Sequence, residues 1–532
     1  MTMLTICSSA LAAPVLPKPG EDVAAVLPKK EVHVENQLAT AETGKTAAEA
    51  KIQLKKIEIE SKGLQLDKKA LEENMADCLQ QAVGMKELND GLSRLTLYCR
   101  KHGYPAAAAY LPEQNIDAGV LKVDILPGRY GKVKLDNQSQ LDLRVAEGLS
   151  HGLQAGAIIQ SSQLETVLYN ISGLGGIQAV GILSPGAAVG TSDLTIRVKD
   201  GKRSTTILYS ENYGSRAAGR YRYGLQNISS NPSGQGDTLS VSGLFSNRDL
   251  RNYAISYEFL AGHSGTKGGF GFSHMNYELG GEFRSRGAQG KADTVTVFGS
   301  TPLYHMEERS LSLAYGYNYR SLKDEDFGRQ GKKHTHSFYT SLNAAWHEGR
   351  AAWNGSFTLT TGTAVMDSDY AETLNRINHT SGRYTKGVLD FNYQQGFDAF
   401  WDMVWKFQGQ RVSRNIDSSE EIFLGGANAV RAYPQGEGSG DEGYVSTLEF
   451  RYHTKKRGLV LSTYFDSGHV RTAKDGIGGG ETMQGWGIGV TYSRPGDWFA
   501  RFDYARRIGW DSKASAEARS KSRMWFILGK IW

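Results

Sequence analysis

The stretch SLSLAYGYNYR, residues 310–320, is the clearest of a long series of alternating segments. Leu311, Leu313, Tyr315, Tyr317 and Tyr319 fall on one side of an extended chain. Ser312, Ala314, Gly316, Asn318 and Arg320 fall on the other, because successive strand side chains point to opposite faces. NYAISYEFL (252–260) repeats the pattern, with Tyr253, Ile255, Tyr257 and Phe259 opposite Ala254, Ser256 and Glu258. FWDMVWKFQ (400–408) sets Trp401, Met403, Trp405 and Phe407 against Asp402, Lys406 and Gln408. An aromatic face backed by a polar or small one suits a soluble sandwich as well as a membrane barrel, so no single strand chooses between them.

The count chooses. From 205–213 to 522–532 the chain reads as sixteen such segments, the faintest near 292–300. From the ninth segment (350–360) onward the connections alternate in length. The long ones follow residue 360, carry Arg431, contain Lys474 and span 507–522. The short ones are QGFDA (395–399), TKKRG (454–458) and SRPGD (493–497). An even strand number with long loops on one side and short turns on the other is the plan of an outer-membrane barrel. Closing the sheet satisfies every backbone group in lipid. Both ends then lie on the short-turn side, which puts the region before the barrel in the periplasm. RMWFILGKIW ends the chain on an aromatic within a strand, as many such barrels do.

The totals of the 532-residue chain agree. Net charge is +5, from 61 basic and 56 acidic residues, so charge alone points to no nucleic acid. No run of about 18 apolar residues occurs, which excludes a transmembrane helix and leaves a barrel open. No catalytic constellation stands out: there is no Gly-x-Ser-x-Gly elbow. Gly173-Leu174-Gly175-Gly176 lacks the Lys and Ser/Thr of a phosphate loop. The 12 histidines show no paired metal-ligand spacing, and Asp367, Asp369 and Glu372 read as a solvated outer loop. The expectation is a protein that is not an enzyme, with no metal and no cofactor.

Before the barrel, residues 51–128 and 129–203 each read as a small α+β unit of order βααββ. In the first, LDKKALEENMADCLQQ (66–81) is a helix with Leu71, Met75 and Cys78 on one face. A second helix over 86–104 carries Leu88, Leu92, Leu95 and Cys99 at helical spacing, and Gly103 stops it. Cys78 and Cys99 both lie on core faces. A disulfide between them fits an oxidising compartment, and two buried thiols fit equally, since spacing does not give distance. Small sheets of this kind have free edges that can take an extended peptide. Residues 14–50 read as a linker or a loosely attached helix. Residues 1–13 read as the tail of a signal peptide, with Ala10-Leu11-Ala12 before the expected cleavage point.

The stretch from Ile422 to Asp466 carries the candidate site. A Gly-rich loop holds Arg431 between Val430 and Ala432-Tyr433. On the later strand Leu459, Leu461, Thr463 and Phe465 share one face, and Val460, Ser462, Tyr464 and Asp466 the other. If the first face meets lipid, Asp466 points into the lumen, where Arg431 could reach it. The alternative is two unrelated polar residues.

These residues resemble a known family. The two βααββ units resemble POTRA domains, and the stretch from Gly103 to Asn137 resembles the end of the first POTRA domain in two-partner-secretion transporters. Val430-Arg431-Ala432-Tyr433 resembles that family's Val-Arg-Gly-aromatic motif, and Tyr464–Gly468 its aromatic-x-Asp-x-Gly motif. The resemblance implies that the loop folds into the lumen and pairs Arg431 with Asp466, with Tyr433 and Gly468 shaping the contact. It implies an outer-membrane pore that passes an unfolded exoprotein to the cell surface. The expected partners are membrane lipid and an adhesin, haemolysin or contact-dependent toxin carrying an N-terminal secretion domain. Two departures stand out. Ala432 replaces the usual Gly, which restricts a positive φ at the loop tip, and no clear plug helix precedes Ala50. The competing readings are an assembly factor for other barrels, which usually has more POTRA units, and a passive porin with periplasmic domains.

Overall fold

The structure, a computed structural model, describes residues 32–38, 51–116, 119–476, 479–509 and 517–532. The expected signal segment 1–13, the question of a plug helix and most of 14–50 lie outside the described residues. Residues 32–38, expected as linker, instead contain a strand, β1 (His33–Asn36).

The first small domain runs β2 (Lys56–Ser61), α1 (Lys68–Glu73), α2 (Asp77–Gln80), α3 (Met85–Lys101), β3 (Ala108–Tyr110) and β4 (Val120–Leu126). Its sheet order is β2-β4-β3. The helix expected over 66–81 is broken into two. The Asn74 side chain donates to the Ala70 carbonyl at 2.7 Å, and Met75 and Ala76 turn to tighter i−3 bonds. Met75 then fills the space over Gly91 of α3, where a Cβ would lie 2.6 Å from its sulfur.

Cys78 and Cys99 are free, buried thiols, which corrects the disulfide reading. Cys78 packs at the start of α3, with its Sγ 3.8 Å from the Glu87 carbonyl. Cys99 lies two turns beyond Gly91 on that helix, about 12 Å along the axis. A disulfide needs Cα atoms within about 7 Å. Burial raises both thiols, Cys99 to about 11.

The second domain runs β5 (Arg129–Gln138), α4 (Leu143–Ser150), α5 (Ser161–Gly173), β6 (Ile177–Pro185) and β7 (Thr191–Asp200). Leu164, Leu168 and Ile171 of α5 pack on Ala179, Leu183, Leu194 and Ile196 of its sheet. The sheet order is β1-β6-β7-β5. β1 therefore occupies the edge of β6, running parallel, with His33 opposite Val180 and Asn36 opposite Leu183. The domain sits on the periplasmic turns of the barrel. Tyr169 stacks on His305 at 4.0 Å, the Glu307 N–H donates to the Glu165 carboxylate at 3.0 Å, and Lys267 donates to the Gly173 carbonyl at 3.1 Å.

A closed antiparallel barrel of sixteen strands follows. Its first half is β8 (Ser204–Glu211), β9 (Arg222–Ser230), β10 (Thr238–Ser246), β11 (Arg251–Leu260), β12 (Lys267–Glu278), β13 (Gln289–His305), β14 (Arg309–Asp326) and β15 (Arg329–Glu348). Next come β16 (Ala351–Met366), an outer-loop helix α6 (Asp369–Asn378), β17 (Gly382–Gly396) and β18 (Trp401–Val412). A small hairpin, β19 (Ile422–Phe423) with β20 (Ser439–Gly440), lies inside the following loop. The wall resumes with β21 (Glu442–His453), β22 (Leu459–Arg471), β23 (Gly480–Ser493), β24 (Trp498–Arg507) and β25 (Ser522–Ile531). Closure is made by β25 on β8, over the short register Ile527–Ile531 against Ile207–Glu211.

Each of the sixteen expected segments is a barrel strand. Their aromatic faces, such as Tyr253, Ile255, Phe272, Val297 and Phe338, form the outer surface. An apolar band of that size on a soluble protein would be an aggregation face; around a barrel it is the lipid-facing belt. No described helix is long and apolar enough to cross a membrane.

Candidate functional site in the barrel lumen

The loop between β18 and β21 starts on the outer side and runs into the lumen. Its two ends hold different walls. Near its start, Asp417 pairs with Lys333 of β15 at 2.8 Å, and Glu420 with Arg320 of β14 at 3.2 Å and Lys386 of β17 at 2.5 Å. Its tip packs on a different sector of the wall. Leu424, Val430, Ala432 and Tyr433 bury themselves against Val445, Tyr464, Val470, Met483 and Ala505 of β21–β24. The loop thus joins two sectors of the wall.

Arg431 is at the tip and is 4% exposed; Asp466, midway along β22, is fully buried. The pair is bidentate. Nε donates to Oδ2 at 2.9 Å and Nη2 to Oδ1 at 2.8 Å, and the Arg431 backbone N–H adds a third bond to Oδ2 at 3.1 Å. A planar guanidinium matches a carboxylate in this way and a lysine would not. Thr447 of β21 donates to Asp466 Oδ1 at 2.9 Å, so both carboxylate oxygens are satisfied.

The remaining nitrogen, Nη1, donates at 3.2 Å both to Glu449 of β21 and to Asp503 of β24. Arg501 bridges the same two carboxylates, with 3.1 Å to Glu449 and 2.6 Å to Asp503. The Arg431 guanidinium also lies over the Tyr464 ring, 3.1 Å from its centroid. Trp525 of the last strand donates its indole N–H to the Arg431 carbonyl at 2.7 Å. Each guanidinium nitrogen of the buried arginine therefore has a partner, which a charge out of bulk water requires.

The other motif residues shape this seat. Val430 and Leu424 lie over Gly468: a Cβ there would sit 2.8 Å from Leu424 Cδ2 and 3.1 Å from the Tyr444 carbonyl. Tyr433 is buried, with Arg507 over its ring at 4.3 Å. Ala432, the departure from the motif, is not among the positive-φ residues, so its methyl brings no backbone strain. That methyl rests on Gly485 of β23, where a Cβ would come within 2.6 Å of it.

The structure brings Val430, Arg431, Tyr433, Asp466 and Gly468 into one cluster. Sequence reading missed Glu449, Asp503, Arg501 and Trp525, and the anchors Asp417 and Glu420. Glu449 carried a signal, since Val445, Thr447 and Glu449 share the lumen face of β21. Asp367 and Asp369 do not converge on this site. Asp367 pairs with His334 at 2.7 Å, and Asp369 lies in the first turn of α6, where a carboxylate suits the helix dipole.

Comparison with known proteins agrees with this architecture. The family described as haemolysin secretion/activation protein ShlB/FhaC/HecB matches residues 190–492, more than half of the chain, and the ShlB-type POTRA domain matches residues 52–128. The heme/hemopexin transporter protein HuxB of Haemophilus influenzae is 26% identical over 479 residues, covering 86% of this chain and 84% of its own. The outer membrane transporter CdiB of Dickeya dadantii is 22% identical over 78% of this chain and 76% of its own. The solved structure of CdiB from Escherichia coli shares the fold with a TM-score of 0.71 at 18% identity, covering 93% of this chain and 94% of that one. BamA from Haemophilus ducreyi, an outlying relative of the fold, aligns at 0.51. Closed barrel, periplasmic α+β domains and matched family together place this chain in the ShlB/FhaC/HecB family, as an outer-membrane transporter of two-partner secretion.

Proposed function

We propose that this transporter takes an exoprotein with an N-terminal secretion domain as an extended segment on the β6 edge of its second periplasmic domain. The observation that carries this reading is β1, an extended stretch of the chain itself seated on that edge. An edge strand offers unpaired N–H and C=O groups to any strand of suitable register. The exoprotein, an adhesin, haemolysin or contact-dependent toxin, displaces β1 and enters the barrel unfolded. The Arg431 loop is the resting-state closure. Arg431 and Asp466 hold it across the lumen, and passage requires their separation.

The test is export of the large exoprotein encoded beside this gene, measured on the cell surface and in the medium. Cells with the intact chain, without it and with Arg431→Ala are compared at equal barrel level. Export that needs the chain and drops in the variant is the expected result. Export unchanged by the variant would remove the role given to Arg431, and export unchanged by deletion would remove the transport reading.

A further inference from the structure

On the outer surface, near the extracellular ends of β11–β15, the strand register puts basic residues in one cross-strand row. Arg251 faces Asn276, Asn276 faces Lys291, Lys291 faces Lys323 and Lys323 faces Lys332. Residues directly opposite each other have Cβ atoms about 4.5–5.5 Å apart, and like charges so placed repel. Three successive lysines on neighbouring strands therefore need an anion.

No direct ion pair within the protein neutralises them. Among the described residues no carboxylate lies within ion-pair distance of Arg251, Lys291, Lys323 or Lys332. The next row toward the membrane is Tyr253, His274, Asp293, Ser321 and His334. Its carboxylate is engaged, since Asp293 bonds His274 at 2.6 Å. Glu278 and Glu325 lie one row further out. With Asp249 they bound a polar depression of about 290 Å³ that Arg251, Lys291 and Lys323 also line.

The register also says what kind of anion fits. Below the interfacial row come Ile255, Phe272, Val295 and Tyr319, the top of the lipid-facing belt. An occupant of the basic row thus has apolar surface beginning one row beyond the interfacial one. Rows two residues apart are about 7 Å apart along a strand, so a lysine stem can bend toward the interface while its ammonium stays wet. An amphipathic molecule with phosphates on its head and acyl chains below satisfies both surfaces. Inorganic phosphate satisfies only one. The outer leaflet around an outer-membrane barrel is made of lipopolysaccharide, whose lipid A carries phosphates where its acyl chains end.

We propose that the row Arg251, Lys291, Lys323 and Lys332 seats the phosphorylated head group of an outer-leaflet glycolipid of the lipid A class, with its acyl chains on the belt below. The lipid neutralises the stacked lysines and holds β12–β15 at the outer interface.

The full chain in micelles is titrated with bisphosphoryl lipid A, monophosphoryl lipid A, phosphatidylglycerol or inorganic phosphate, and bound lipid is counted by native mass spectrometry. The wild type is compared with the double variant Lys291→Gln/Lys323→Gln. Arg309→Gln, on the same outer face of β14 at its periplasmic end, is the control. Heat-shifted gel mobility reports that each barrel is folded. The expected result is bisphosphoryl lipid A bound in preference to the other three, weakened roughly tenfold or more in the double variant and unchanged in the control. Equal lipid A binding by the folded double variant overturns the proposal. So does phosphatidylglycerol binding as well as lipid A, or inorganic phosphate displacing it.

Discussion

Arg431 holds together groups from four strands, because one guanidinium meets Asp466 of β22, Glu449 of β21 and Asp503 of β24, while its carbonyl accepts from Trp525 of β25. Arg431→Ala leaves Glu449 and Asp503 with Arg501, and Asp466 with the Thr447 hydroxyl and no cation. Breaking a buried ion pair by removing one partner costs about 3–5 kcal/mol. The loop is therefore expected to leave its seat, seen as cysteine labelling of the tip from outside in the variant and not in the parent. Arg431→Lys should behave nearly as badly, since a point charge cannot satisfy Asp466 and Nη1's partners together; full protection of the tip in that variant would contradict this. Trp525→Phe tests the carbonyl bond alone. It strands one buried acceptor, at about 1–3 kcal/mol, and labelling intermediate between parent and Arg431→Ala is expected. Gly468→Ala addresses shape instead of charge, because its new methyl would meet Leu424 and the Tyr444 carbonyl. It should loosen the tip with Arg431 intact.

At the level of elements, β1 and the cysteines of α2 and α3 lead to separate predictions. Deleting residues 33–36 frees the β6 edge. A purified exoprotein secretion domain should then bind several-fold tighter, because the occupied fraction of the edge no longer competes. Unchanged or weaker binding in a calorimetric titration would mean that the edge is not where the exoprotein docks. In the first domain, Cys99 is raised to about 11 by burial. A thiol with a pKa above the working pH stays protonated, and protonated thiols alkylate slowly. At pH 8 the folded chain should resist iodoacetamide at Cys78 and Cys99 and react once unfolded. Its gel mobility should be the same with and without reductant, and a reductant-dependent shift would restore the disulfide.

For the whole molecule, the loop ties together separate parts of the lumen wall. It is tied at Asp417 and Glu420 to one sector and at Arg431 to another. Removing residues 422–440 is expected to raise the single-channel conductance in planar bilayers several-fold; conductance equal to the parent's would show that something else closes the pore. The second periplasmic domain is tied to the same body through Tyr169, Glu165 and Lys267 at the periplasmic turns. An exoprotein docked on β6 as proposed would sit beside the barrel mouth. This joins recognition to passage without a long linker.

Residue order alone specifies the sixteen strands, their inward and outward faces and the two small domains. These follow from local periodicity, because a strand's side chains alternate whatever the strand pairs with. It also supplied Arg431, Asp466 and the glycine beside them as a motif. It did not supply Glu449, Asp503 and Trp525 as their neighbours. Those lie on strands that closure of the barrel brings around the loop tip, a distance in space that no spacing along the chain encodes. The split of the first helix at Asn74 was equally hidden, since a side chain competing for a backbone carbonyl leaves the apolar pattern of Leu71, Met75 and Cys78 intact. The separation of Cys78 from Cys99 and the seat of β1 on β6 were decided by tertiary packing alone. Both depend on which surfaces meet, and a core face or an extended segment read from sequence does not name its partner.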